Sequence, residues 1–143
     1  MSDFAVVRSV PIRANGDAIW RVLTDVTRWN RFDAHLAHSG LDGPFQVGAT
    51  GYVQPKIGPR REFELLEVQA PTFFVAEMAM PLCRMRFPHR VVEEGEGVRV
   101  EMAIEMIGPL AWFYRRLLVG RMTRGLEASL ANLRALVEAG GDV

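Results

Sequence analysis

The stretch PLAWFYRRLLVGRMTRGLEASLANLRALVEA, residues 109–139, decides how the rest of the chain must fold. It reads as one long helix. Pro109 suits a first helical position, where the amide hydrogen it lacks would go unbonded anyway. Gly140-Gly141 suits the stop, because glycine takes the left-handed conformation that closes helices. Val119, Met122, Leu126, Leu130, Leu133 and Val137 recur at helical spacing and share one face. Arg121, Arg124, Glu127 and Arg134 fall off that face. About thirty residues at ~1.5 Å each make roughly 45 Å of helix, which is long for a domain of this size. Such a helix needs a large apolar partner. Gly120 interrupts it at a cost of about 1 kcal/mol relative to alanine. It is a candidate bend or close-approach point.

The partner is legible upstream. Phe4 to Ile12 alternates loosely and predicts a first strand, with Arg8 falling on its apolar side. Asn15 or Asp17 can cap a helix carrying Ile19, Trp20, Leu23 and Val26. A second short helix, roughly Thr27 to Asp33, brings Trp29 and Phe32. The period then changes to two. Strands are predicted at Leu36–Leu41, Ala49–Lys56, Glu62–Val68, Thr72–Met80, Cys83–Glu93 and Val98–Ile107, separated by Gly43-Pro44, Gly58-Pro59, Pro71 and the glycine-containing EEGEG at 93–97. In the last two strands the alternation is cleanest. Cys83, Met85, Phe87, His89 and Val91 oppose Arg84, Arg86, Pro88 and Arg90. Val98, Val100, Met102, Ile104 and Met106 oppose Arg99, Glu101, Ala103 and Glu105. This is an antiparallel sheet with one face in water and one against something apolar.

Composition bounds the function. The 143 residues are 49% hydrophobic and 24% charged, which suits one soluble globular domain, 1–143. Lys plus Arg and Asp plus Glu number 17 each, so no net charge steers the chain to nucleic acid or a membrane. A single cysteine excludes an internal disulfide. The start MSDFAVVRSV lacks a signal-peptide pattern, and no apolar run approaches the ~18 residues of a membrane span. The expectation is a cytoplasmic protein without stable membrane insertion.

Three pieces carry a resemblance to a known family. They are I-x-A-x-x-D-x-I-W-x-V-L-T-D-V-x-x-W at 12–29, the G-x-x-x-V-G turn at 43–48, and G-L-E-A-S-L-A-N-L at 125–133. With the element order, they make the chain resemble the START-like (SRPBCC) superfamily, and within it the polyketide cyclase/dehydrase and lipid-transport group. The resemblance implies an α+β helix-grip fold. A curved antiparallel sheet of about six to seven strands would wrap the long C-terminal helix, with two short helices after strand 1 and a cavity between sheet and helix. It also implies one of two activities. The first is binding of a hydrophobic small molecule (a lipid, polyketide or aromatic). The alternative is a polyketide aromatase/cyclase or dehydratase, a lyase- or isomerase-like enzyme without metal, using pocket His, Arg or Tyr side chains.

The candidate residues follow. Met78, Met80, Met85, Met102, Met106 and Met122 fall on inward strand positions or on the helix's apolar face. Methionine there is either adaptable core filler or a soft lining for a variable ligand. In the second reading Trp29, Tyr52, Phe74, Phe87, Trp112 and Leu126 share the lining, since such pockets are mostly apolar with a few placed polar groups. His89 lies inward and is either a satisfied core histidine or a pocket hydrogen-bond partner and general base. Cyclases of this kind use an Arg, His or Tyr to polarise a carbonyl, and Arg8, Arg61, Tyr52 and His89 are the candidates here. Cys83 and His89 sit six residues apart on one strand, roughly 20 Å at ~3.3 Å each, too far for a nucleophile–base pair.

His35 and His38 lie near Asp33 and Asp42, but residues three apart on a strand point to opposite faces. No metal-ligand spacing, phosphate loop or nucleophile elbow occurs, so no metal or cofactor is expected. Arg115, Arg116, Arg121 and Arg124 interleave with Trp112, Phe113, Tyr114 and Leu117. That stretch is either a solvated face closing the cavity end or a surface that meets anionic lipid. An interaction module acting through the outer sheet face would need an exposed apolar patch, which the alternating charges there disfavour. The expected partner is a hydrophobic small molecule, with no nucleic acid, and the chain is expected as a monomer or homodimer.

Overall fold

A computed structural model describes residues 2–95 and 97–140, with side chains described from Val6 onward. The order is β1 (Ser2–Ile12), α1 (Gly16–Thr24), a 3₁₀ segment (Val26–Arg31), β2 (Leu36–Asp42), β3 (Thr50–Pro55), β4 (Arg61–Gln69), β5 (Phe73–Met80), β6 (Cys83–Glu94), β7 (Gly97–Ile107) and α2 (Ala111–Glu138). The strands form one antiparallel sheet in the order β1-β7-β6-β5-β4-β3-β2. Five consecutive connections are therefore simple reversals. The exception runs through α1 and the 3₁₀ segment, which carry the chain from β1 to β2 at the opposite edge. This is the helix-grip arrangement expected from the sequence, with seven strands. Of the β6–β7 turn, Gly95 has φ +57° and residue 96 lies outside the described residues.

Local chemistry fixes the ends of the elements. Asn15 caps α1, its side-chain oxygen accepting from the Ala18 N–H at 2.7 Å. Gly140 has φ +79° and closes α2, donating to Val137 O at 3.0 Å. The start of α2 differs from the sequence expectation. Leu110 is the cap and Ala111 the first helical residue, so Pro109 lies ahead of the helix. The reason is a tertiary bond: the Leu110 N–H reaches back to Leu82 O at 3.0 Å, in the β5–β6 turn. Tyr114 Oη also donates to Pro81 O at 3.2 Å in that turn. Gly108, at φ +129°, lets the chain pass so close that an added Cβ would sit 2.7 Å from Leu82 O.

The core has two parts. The larger packs Leu130, Leu133 and Val137 of α2 against Ile12, Ile19, Leu23, Val98 and Val100. The smaller gathers Val6, Cys83, Met85, Ile104 and Met106 around Ala111 at the start of α2. The helix is thus seated at both ends. Arg8, which looked misplaced on an apolar strand face, reaches α2 and bonds Glu127 through Nε at 3.0 Å. Both side chains are about half exposed, so the pair contributes at most ~1 kcal/mol. Gly120 is neither bend nor close approach: α2 runs unbroken through it, the position is exposed, and an added Cβ would meet only Arg124 Nη1 at 3.6 Å.

The outer sheet face carries the charges. Glu77 accepts from Arg84 at 2.7 Å and Arg86 at 2.8 Å. Burial pushes its carboxyl up, but these two guanidinium bonds outweigh that and hold it below its ordinary value.

These placements predict a sharp contrast. Leu133→Ala should cost about 2–5 kcal/mol, because Leu133 is fully buried at the seat of α2. Glu127→Ala should cost under ~1 kcal/mol. Urea unfolding of both variants checks this, and equal costs would contradict the two-seat description.

Candidate functional site

Between its two seats α2 stands off the sheet. The gap is a cavity of about 350 Å³. Phe87, His89, Met102 and Ile104 form its sheet wall, with Met78 and Ala76 beside them. Met122, Gly125 and Leu126 line it from α2. Leu23, Trp29 and Phe32 close it from α1 and the segment that follows. Among lining residues His35 and Arg121 are exposed, which places the opening between the β2 start and α2. Asp33 and Ser129 complete that polar mouth.

The mouth is held from several directions. Trp29 Nε1 donates to Leu23 O at 2.8 Å, and its ring lies 5.4 Å from that of Phe63. Ser39 Oγ donates to Val26 O at 2.6 Å, tying the 3₁₀ segment to β2. Asn132 Nδ2 on α2 donates to Phe32 O at 3.1 Å. Asp33 accepts from the His35 N–H at 3.0 Å. Burial raises the Asp33 carboxyl above its ordinary value, against the opposing pull of the His35 hydrogen bond and charge.

His89 is the polar group of the inner wall. Its Nδ1 lies 2.8 Å from Phe87 O. A carbonyl can only accept, so Nδ1 carries the proton. The ring stacks on Phe74 at 4.3 Å with an interplanar angle of 8°. Phe74 is itself fully buried and boxed edge-on by Trp20 and Phe45. His89 is half-buried and lines the cavity. Desolvation lowers its pKa from 6.5 to about 4, against the opposing Phe87 hydrogen bond. It is therefore neutral at physiological pH, with Nε2 unprotonated.

Of the residues singled out from the sequence, Trp29, Met78, Phe87, His89, Met102, Met122 and Leu126 line the cavity. Phe74 sits directly behind His89 rather than on the wall. The others are elsewhere. Met85 and Met106 are buried in the smaller core cluster, with Met80 packed against it. Trp112 is 62% exposed at the start of α2. Tyr52 lies on the outer face, where its hydroxyl meets His38 Nδ1 at 3.1 Å and Arg60 covers its ring at 3.7 Å. Arg61 is exposed at the β4 start, and Arg8 is engaged with Glu127.

The physical reason is shared. Alternation gives the face of a strand but not the position along a curved sheet, and only the middle of the sheet faces the gap. Tyr52 is different: Val53 points inward, so its neighbour must point out. Cys83 lies in the smaller cluster with its thiol pushed up by burial, away from His89. Among the described residues no group of three His, Cys, Asp or Glu side chains could hold a metal ion.

The mouth residues Asp33, His35, Arg121 and Ser129 were not foreseen as a group. Asp33 and His35 come from the loop before β2 and Arg121 and Ser129 from α2, far apart in sequence. Gly125 is the nearest thing to a signal. A Cβ there would meet His35 Cδ2 at 3.8 Å, so glycine keeps this rim open without being sterically required.

A sheet gripping a long helix around an apolar cavity with one polar group on its inner wall defines a START-like ligand-pocket protein. The sequence profile of the family described as polyketide cyclase / dehydrase and lipid transport matches residues 3–138, and the chain belongs to that family. No curated protein matches the sequence. Similar solved structures include the di-domain ARO/CYC StfQ from the steffimycin biosynthetic pathway, with a TM-score of 0.78 at 10% identity. The match covers 96% of this chain and 51% of that one, so the chain spans about half of StfQ. A protein from Mesorhizobium loti has a TM-score of 0.75 at 18% identity, over 97% of this chain and 98% of that one. Truncated norcoclaurine synthase from Thalictrum flavum has a TM-score of 0.70 at 14% identity, over 96% and 93%. At these identities the likeness is one of fold.

The low pKa of His89 makes a stability prediction. Its folded value lies below its unfolded one, so its contribution is intact above pH 6.5 and is lost as pH falls towards about 4. The full loss approaches ~3 kcal/mol, and about 2 kcal/mol should be gone by roughly pH 5. Urea unfolding at neutral and mildly acidic pH should show this loss in the wild type and not in His89→Phe. Identical pH dependence in the two proteins would contradict a neutral, desolvated imidazole.

Proposed function

We propose that the protein binds a hydrophobic small molecule, a lipid, polyketide or aromatic compound, in the cavity between the sheet and α2. The observation that carries this is the cavity itself. Its volume of about 350 Å³ lies within the range of small-molecule sites, at the smaller end. Its walls are apolar apart from His89 and the mouth, which suits a ligand held by burial and oriented by few polar contacts. Met78, Met102 and Met122 supply walls that can adapt to shape. Family membership supports the same reading, since its description spans both cyclisation and lipid transport and a lined cavity serves either.

A second reading is catalysis, a polyketide cyclase- or dehydratase-like reaction, and one observation favours it. His89 presents an unprotonated nitrogen to the cavity, placed to accept a proton, and its lowered pKa makes it a weak base. Tyr52, Arg61 and Arg8 lie outside the lining, so this reading rests on His89, with Asp33, His35 and Arg121 at the mouth as the remaining titratable groups. Among the described residues no helix is long and apolar enough to cross a membrane, so the ligand would be met by a domain that does not span the bilayer by a helix.

Native mass spectrometry of gently purified protein should show a bound or bindable apolar molecule. The neutral dye N-phenyl-naphthylamine should bind the wild type. Gly125→Leu should fold at least as well, because glycine inside a helix costs about 1 kcal/mol. It should nevertheless bind the dye about tenfold more weakly, a change of roughly 1.4 kcal/mol. Absence of any apolar ligand by both methods would sink the reading, as would equal binding by Gly125→Leu.

A further inference from the structure

We infer that the ligand of this cavity carries a hydroxyl group, phenolic, enolic or alcoholic, that donates its hydrogen to Nε2 of His89. The inference rests on the cavity being a small-molecule site and names what that molecule must present on the inner wall.

The argument is one of satisfied and unsatisfied groups. Nδ1 is committed: Phe87 O, at 2.8 Å, accepts its hydrogen. The stacking of its face on Phe74 at 4.3 Å, with Phe74 fully buried behind it, opposes a flip of the ring that would break the Nδ1 bond. That leaves Nε2 as a lone-pair acceptor. Nε2 has no hydrogen-bond partner among the described residues, and it is not sealed from the cavity. Its surroundings on that wall, Met78, Phe87, Met102 and Ile104, offer no donor. Across the gap Met122 and Leu126 offer none either. The polar lining groups, Asp33, His35, Arg121 and Ser129, belong to the mouth.

A ligand that meets this acceptor with a donor replaces the hydrogen bond that solvent can give it, and a group that displaces solvent without donating does not. A neutral acceptor discriminates in three ways. It favours a hydroxyl over a methyl of the same size. It gives nothing to a ketone or ether oxygen, which has no hydrogen to donate. It disfavours a carboxylate, which would bring a second lone pair and a charge into apolar surroundings. A ligand with an acidic head group would therefore place that group at the mouth, near Arg121, and not at His89.

Three probes of one shape test this: naphthol, and methylnaphthalene and naphthoate substituted at the same carbon. Calorimetric titration into the wild type and into His89→Phe gives the ratio of naphthol to methylnaphthalene affinity in each protein, which cancels the difference in their hydrophobicity. The ratio should fall about tenfold in the variant, the size of one buried neutral hydrogen bond. Naphthoate should bind the wild type more weakly than naphthol. Nitrogen NMR of the wild-type imidazole needs no variant to fold. Its unprotonated ring nitrogen should move upfield with naphthol and stay in place with methylnaphthalene. An unchanged ratio, a preference for naphthoate, or an unmoved Nε2 signal would overturn the inference while leaving the cavity reading intact. Failure of every probe to bind would overturn both.

Discussion

The structure depends on one mismatch. A helix of 28 residues is laid along a curved sheet, and the two pack most deeply at the two ends of the helix. Leu130, Leu133 and Val137 seat one end of the helix, and Ala111 seats the other among Val6, Cys83, Met85 and Met106. Between these seats the helix spans a gap. Burial is deepest at the seats, and Met122 and Leu126 between them are only partly buried against the two clusters. Side chains of the middle, Met122 and Leu126, are left facing a space about 350 Å³ in volume.

That division explains why similar residues play different parts. Met85 and Met106 are core because they lie under a seat. Met78 and Met102 lie under the span and line the cavity, Met102 while also buried in the larger core cluster. Their chemistry is the same, and position along the arch separates them. It also explains why the polar group of the inner wall is tolerable. His89 sits under the span, where a ligand can reach it. Its own strand takes one nitrogen and Phe74 carries its face, which leaves the other nitrogen open to the cavity and the pKa lowered. The outer face needs no such arrangement, because Glu77, Arg84 and Arg86 satisfy one another at the edge of solvent.

The mouth is a separate construction from the walls. The 3₁₀ segment, the start of β2 and the middle of α2 meet there through main-chain acceptors, at Leu23, Val26 and Phe32. Side-chain donors from Trp29, Ser39 and Asn132 make these bonds, so the rim is tied to both the sheet and the helix. Its exposed groups, His35 and Arg121, are of a different character from the walls behind them. A molecule entering the cavity passes from a polar rim to an apolar interior with one directed acceptor.

The sequence by itself determined the elements and their faces. The helical stripe from Val119 to Val137, the period-two alternation of β6 and β7 and the Asn15 cap are local signals, carried by neighbours in the chain. They sufficed for the helix-grip arrangement, for the inward side of His89 and for the separation of Cys83 from it. Tertiary structure alone decided where along the arch the gap lies. It therefore decided that Trp29, Met102 and Met122 line the cavity, that Met106 is core, and that Gly125 borders the mouth while Gly120 borders nothing. Arg8 shows the same limit from the other side: its place on an inward face was legible, but its reason, Glu127 across 119 residues of chain, was not. Periodicity reports which way a side chain points. What it meets there depends on curvature and on partners distant in sequence, which no local pattern encodes.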